Sequence, residues 1–399
     1  MTYPRMALAV VIALFIAAFP IHAQEALIFP EPTGEHQVGV VSHLLEDGNR
    51  EEIFTEEEGD QREVLITLYY PAEPAADAET APYLDDTMQE ILGVPPELAD
   101  SIQTHVYADA PIVDDRFPVL IFSPGMGALP QDYSSLHIEA ASHGYVVAAI
   151  WHPYSTGITV FPDGRLVPAS EAGYVALETS PEAEAQVGAV WAGDMIYVLD
   201  QLEQFNEDDA LLAGHLDLER VGVFGHSFGG GAATEASYLD SRFQAGINMD
   251  GPLFGNVVEE SVSQPFMVMF SDEWDLSIDE GSLAALGLTR EEYEAQITDY
   301  INTYTAQAQA SVDNAEVGYS ARILGSTHFT FATDSGMLLA IFPELLPPTA
   351  VGSLAGERAL EVIGAYVVGF FDHHLKGEAV PLLDGESADY PEVELEVTN

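Results

Sequence analysis

Apolar positions along this chain follow two rhythms. Uninterrupted short runs, FPVLIFS (117–123), YVVAAIW (145–151), RVGVF (220–224), AGINM (245–249) and PFMVMF (265–270), read as strands covered on both faces. Between them lie longer stretches with helical spacing: SSLHIEAASHG (134–144), AEAQVGAVWAGDMIYVLDQLEQF (183–205), GGGAATEASYL (229–239) and a closing helix over 356–377. Upstream, GVVSHLL (39–45) and REVLITLYYP (62–71) read as strands flanking an acidic loop, EDGNREEIFTEEEGD. Strands alternating with helices predict an α/β fold with a mostly parallel central sheet and helices on both faces. No repeat and no second unit stands out, so 24–399 reads as one domain with helical insertions at 83–108 and 276–318. In the first insertion, DDTMQEIL and ELADSIQTHVY read as two short helices around Pro95-Pro96, a candidate lid.

One strand-to-helix junction carries chemistry. GHSFGG (225–230) follows RVGVF and opens a helix, the context that Gly-x-Ser-x-Gly requires of a nucleophile elbow. The turn is so tight that only glycine fits two residues either side of Ser227. Its hydroxyl is thereby lifted over the carboxyl end of the sheet, beside a helix N-terminus that favours an oxyanion. Serine needs a base, and the base needs an orienting acid. His328, in GSTHFTF after the last predicted strand, is the expected base. His373 and His374 sit at the end of the closing helix, and His226 reads as a structural hydrogen-bonding residue. Asp250, Asp272 and Asp275 all stand at strand ends on the same edge, and the pattern leaves the choice open. The oxyanion donors are expected to be the amides of Phe228 and of Met126 in the glycine loop SPGMG (123–127). Phe254, Trp274 and Phe329, with Phe228, are candidates for an apolar acyl pocket.

Composition narrows the partners. The chain has 66 acidic against 11 basic residues, one of them lysine, and a formal net charge of −55. Neutralising nucleic-acid phosphates needs clustered Lys and Arg, so nucleic acid is excluded as a partner, and anionic membrane surfaces are disfavoured. Acids scattered along the whole chain suit a solvated surface at high salt, where screening removes self-repulsion. No EF-hand-like loop gathers them into a metal site. With no cysteine, neither disulfides nor thiolate chemistry is available. Arg5, then an apolar run of about 14 residues and the small residue Ala23, read as a secretory signal over 1–23, shorter than the roughly 20 residues of a membrane span.

IFSPGMGA, GYVVAAIWHP, DMIYVLDQL, RVGVFGHSFGGG, GINMDGPLFG, GSTHFTF and FFDHHLKG, in this order over about 115–377, resemble the platelet-activating factor acetylhydrolase family and the dienelactone-hydrolase-like bacterial esterases that cluster with it. The resemblance implies an α/β-hydrolase fold with neither metal nor cofactor. It also implies that Asp250, 23 positions after Ser227 in an apolar-Asp-small setting, is the acid rather than Asp275. Two departures stand out. Pro124 stands where animal members have histidine, and the stretch from Asp250 to His328 is longer than usual. The expected activity is hydrolysis of short-acyl esters by an exported enzyme, with sn-2 acyl phospholipids among the candidates. A polyester, lactone or peptide hydrolase would use the same parts. A non-catalytic binding protein would be expected to lack one of the three residues.

Overall fold

The computed structural model describes residues 27–174, 181–273, 280–281, 283, 287–339, 348–354 and 356–398. The expected leader over 1–23, and Trp274 and Asp275, lie outside the described residues.

Ten strands form the main sheet: β1 (Gln37–Glu51), β2 (Gln61–Ala72), β3 (Val106–Ala108), β4 (Phe117–Ser123), β5 (Val146–Trp151), β6 (Leu216–His226), β7 (Phe243–Met249), β8 (Phe266–Glu273), β9 (Gly318–Thr327) and β10 (Val393–Thr398). Their spatial order is β10-β9-β8-β7-β6-β4-β5-β2-β1-β3. The six strands from β9 to β5 are parallel, and β10, β2 and β1 join antiparallel. Every residue of β4 and β5 is buried, as their unbroken apolar runs predict.

Alternate side chains of these strands feed two cores. Leu120, Phe122, Val147, Ala149 and Phe224 face α2 (Ser134–Ser142) and the closing helix α6 (Glu357–Lys376). Val119, Ile121, Val146, Ala148 and Val223 face α3 (Pro181–Asp208) and α4 (Phe228–Leu239). A third, smaller core lies where α5 (Arg290–Asp313) covers β8, with Tyr304, Ala308 and Val312 on Phe266, Val268 and Phe270. From β4 the chain winds outward through β5 in one direction. After α3 it returns beside β4 as β6 and winds the other way through β7, β8 and β9. The strand order therefore reverses between β4 and β6, where the carboxyl ends of a parallel sheet leave a crevice.

Three local readings change. The first part of the acidic loop continues β1, with Glu46 and Asp47 in register with Glu63 and Arg62 of β2. In the 83–108 insertion, α1 (Asp86–Leu92) forms as expected, but the second helix is only Pro96–Ala99. Beyond it Ile102, Thr104 and Val106 are buried with less buried residues between them, a two-residue period, and Val106–Ala108 pairs with β1. The segment thus mixes two short helices with short strands, and its Tyr83 hydroxyl donates to the Gln131 carbonyl (3.1 Å). Finally, the tail adds β10, whose alternating VELEVT completes the far edge.

Beneath the sheet, Arg62 is 1% exposed and forks onto Asp194 (2.6 and 3.1 Å) and Glu52 (2.7 Å). Replacing one partner of such a buried set strands the others. Arg62→Leu is expected to lower the unfolding free energy by about 3–5 kcal/mol, read as a urea midpoint shift by circular dichroism.

Candidate active site

Ser227 sits between β6 and α4 with φ of 54°, a left-handed conformation rare for a non-glycine residue. Its surroundings enforce that turn. A Cβ on Gly225 would lie 2.3 Å from the Gly229 carbonyl oxygen, and one on Gly229 would lie 2.2 Å from that of Ser123. The Ser227 amide donates to the Met249 carbonyl (2.9 Å), tying the elbow to β7.

Asp250 follows β7 directly, also at φ of 54°, and its amide donates to the Met269 carbonyl (2.8 Å). Its carboxylate is 1% exposed. It accepts from the Ser271 amide and hydroxyl (both 2.9 Å), from the Tyr304 hydroxyl (3.2 Å), and lies 2.7 Å from His328 Nδ1. Burial alone would raise its pKa; the His328 hydrogen bond and charge, with the Ser271 donors, outweigh burial and hold it below the ordinary value.

His328 opens a short 3-10 turn, His328–Phe331, after β9. Thr330 pins that turn, accepting from the Thr327 amide (2.9 Å) and donating to the Val351 carbonyl (2.7 Å). His328 Nε2 lies 2.9 Å from Ser227 Oγ. The structure thus brings Ser227, His328 and Asp250 into one hydrogen-bonded line, with the His328 side chain 18% exposed.

The loop after β4 lies across from the elbow, because Ser123 pairs with Gly225. Its amides are mostly engaged: Gly125 with the Tyr133 hydroxyl (3.1 Å), Gly127 with the Ser155 carbonyl (3.0 Å), Ala128 with the Gly125 carbonyl (3.0 Å). The amides of Met126 and Phe228 are left without an acceptor among the described residues. The Tyr133 hydroxyl also lies 2.7 Å from His226 Nδ1. His226 packs beneath the line, its ring 4.6 Å from that of His328. Burial first, then the neighbouring His328, keeps its pKa well below the ordinary value, so it stays neutral.

The other candidates fall elsewhere. Asp272 accepts from the Gly325 amide (2.9 Å). His373 lies 2.8 Å from the Glu378 carbonyl, and His374 3.1 Å from the Tyr319 hydroxyl. Phe254 is 3% exposed, packed on Phe228 at 4.6 Å and filling the space that Gly188 and Gly231 leave, so it belongs to the core. Phe329 is half-buried, its ring edge-on to His328 at 5.7 Å. Among the described residues no group of three or more His, Cys, Asp or Glu could hold a metal ion, and no helix is long and apolar enough to cross a membrane.

Sequence reasoning missed Tyr304, which reaches Asp250 from α5, and a second Ser-His-Asp line. Ser123 Oγ lies 2.9 Å from His152 Nε2, and His152 Nδ1 lies 2.8 Å from Asp194 Oδ2. All three are 0% exposed. Only the neighbouring motif signals Ser123, and His152 was legible only as a polar residue just past β5.

Acidification tests the electrostatics of Asp250. A carboxyl depressed on folding adds stability that is complete above its unfolded pKa of about 3.9 and is lost as pH falls through the folded value. Between pH 5 and pH 2 the wild type should therefore lose unfolding free energy more steeply than Asp250→Asn, measured by denaturant titration at each pH.

Comparison with known proteins agrees with this architecture. A ferulic acid esterase from Streptomyces cinnamoneus superposes with a TM-score of 0.74 at 27% identity, covering 93% of this chain and 99% of that one, and shares its α/β-hydrolase fold. A probable 1-alkyl-2-acetylglycerophosphocholine esterase from Arthroderma benhamiae is 27% identical over 286 residues, 69% of this chain and 65% of the relative. A platelet-activating factor acetylhydrolase from Cavia porcellus is 32% identical over 180 residues, 40% of this chain and 41% of the relative. The chain thus spans less than two thirds of the length of these curated relatives. The family described as platelet-activating factor acetylhydrolase, isoform II, matches residues 21–165 and 197–309, well over half of the sequence, and the chain belongs to that family.

Proposed function

We propose that the protein is a serine hydrolase of carboxylic esters, with Ser227 as nucleophile, His328 as base and Asp250 as the acid that orients it. One observation carries the reading: the 2.9 and 2.7 Å contacts that join Ser227, His328 and Asp250 in a line reaching solvent at the carboxyl edge of the sheet. Ser227 Oγ attacks the ester carbonyl carbon while its proton passes to His328 Nε2. Asp250 pairs with the imidazolium. The carbonyl oxygen becomes an oxyanion held by the amides of Met126 and Phe228, at the positive end of α4. Collapse expels the alcohol, which takes the proton from His328. Water then attacks the acyl-enzyme, again through His328, and the carboxylic acid leaves with Ser227 restored.

The substrates best supported are short-acyl esters, including sn-2 acetyl phospholipids, since family and curated relatives are named for that chemistry. The Streptomyces neighbour, matched over nearly its whole length, favours a second reading, an ester of an aromatic acid such as ferulate. Phe329 beside His328 would form part of either acyl wall. The reading also includes export on the 1–23 leader, residues 24–399 as one catalytic unit, and an acidic surface that works best at high ionic strength.

The test is turnover of p-nitrophenyl esters from acetate to long acyl chains, of methyl ferulate and of a 2-acetyl phospholipid, at low and multimolar salt. Acetyl substrates should be fastest, and Ser227→Ala should lose about a thousand-fold or more. Methyl ferulate as the preferred substrate would select the second reading. Full turnover by Ser227→Ala would remove the nucleophile assignment.

A further inference from the structure

The Ser123–His152–Asp194 line repeats the connectivity of the candidate site one strand away, yet a substrate cannot reach it. Burial, reinforced by the charges of Arg62 and Arg50, lowers the pKa of His152, and Arg62 leads the cationic partners that keep Asp194 ionised. A neutral imidazole carries one ring proton. Asp194 can only accept, so that proton is on Nδ1, and Nε2 accepts from the Ser123 hydroxyl. Every member of the line has a fixed direction.

Its anchoring is extensive. Asp194 also meets Arg50 at 2.9 Å, and Arg62 reaches the Pro153 carbonyl at 3.2 Å, just past His152. The line thus joins β2, β4, the end of β5 and α3.

Two members of the line, Ser123 and His152, connect to the candidate oxyanion site. Ser123 is the last residue of β4, three positions before Met126, and its carbonyl is the wall against which Gly229 of the elbow is seated. On the other side, the His152 ring stacks on Trp191 at 3.9 Å and 10°. Trp191 meets the ring of Phe228 edge-on at 5.0 Å. Phe228 and Met126 carry the two expected oxyanion amides, neither with an acceptor among the described residues.

We propose that Ser123, His152 and Asp194 are positioning residues that set the distance between the Met126 and Phe228 amides. The line itself does no acyl transfer. The proposal rests on the ester-hydrolase reading above, and a transition-state probe separates the two. A hydrogen bond that only held the fold would, when lost, lower stability without selecting against the tetrahedral oxyanion. Loosening the spacing of two donors selects against that species alone.

The experiment measures kcat and KM on p-nitrophenyl acetate, with Ki for an aryl trifluoromethyl ketone, which forms a tetrahedral oxyanion on serine, and for the corresponding methyl ether, which does not. Wild type, Ser123→Ala, Ser123→Cys and Ser227→Ala are compared below their unfolding temperatures. Deleting one oxyanion donor outright costs about 100–1,000-fold in kcat, so displacing one in Ser123→Ala should cost roughly 10-fold, with KM within about twofold. Ki for the ketone should rise by the same factor and Ki for the ether should not move. Ser123→Cys, which keeps the shape and a weak donor, should fall between wild type and alanine, and supplies the comparison if Ser123→Ala does not fold. Unchanged kcat and ketone affinity in a folded Ser123 variant, with Ser227→Ala inactive, would overturn the positioning role and leave the ester-hydrolase reading standing. Full activity in Ser227→Ala would overturn that reading and this one with it.

Discussion

The structure depends on one close approach: the backbone of β4 at Ser123 against the glycines that frame Ser227. A single methyl at Gly229 would meet the carbonyl oxygens of Ser123 and Pro124 at 2.2 and 2.3 Å, and one at Gly225 would meet the Gly229 carbonyl oxygen at 2.3 Å. Two parallel strands in register and a helix packed at contact distance leave the serine no conformation but the left-handed one. The same contact places the loop after β4 beside the start of α4, so the proposed nucleophile and the proposed oxyanion amides are set by one piece of packing. Strain at Ser227 is held by the strands on either side, which over-determine the turn.

Charge is handled differently inside and outside. With 66 acids and 11 bases, few cations are available to answer buried carboxylates. The cations that enter the interior are concentrated on Asp194, which takes both Arg62 and Arg50. Glu52 and Asp47 share the same two arginines, and several other buried acids among the described residues are met by neutral donors. Asp250 uses Ser271 and Tyr304 beside His328. Glu235 receives the amides of Asn256 and Val257 at 2.9 and 3.1 Å. Asp334 receives the Ser134 hydroxyl at 2.6 Å and the Ser135 amide at 3.1 Å, and burial still pushes its pKa up.

The parts legible in the sequence are those whose signal is local. Continuous apolar runs gave the inner strands, glycine spacing gave the elbow, and a histidine after the last parallel strand gave the partner of Ser227. The partner of His328 was legible only through resemblance, because the sequence pattern offers three aspartates for one edge and only folding shows Asp250 facing His328. The strands within 102–108 and at 393–398 were lost or misread for the opposite reason. Short edge segments carry a two-residue period over too few positions to outweigh neighbouring helical patterns. Tyr304 and the Ser123–His152–Asp194 line were invisible because their partners lie far apart in sequence and follow no motif.

With Asp250 after β7 as the proposed acid, the connection from β8 to β9 has no duty in the Ser227–His328 contact. That crossover holds α5. A loop relieved of supplying the acid can change length between relatives while the reacting atoms keep their spacing, so shape around the acyl group and chemistry at the serine are open to separate selection. The separation is incomplete here. Through the Tyr304 hydroxyl, 3.2 Å from Asp250, α5 is tied to the candidate site, and any remodelling of α5 is felt first at the carboxylate hydrogen-bonded to His328.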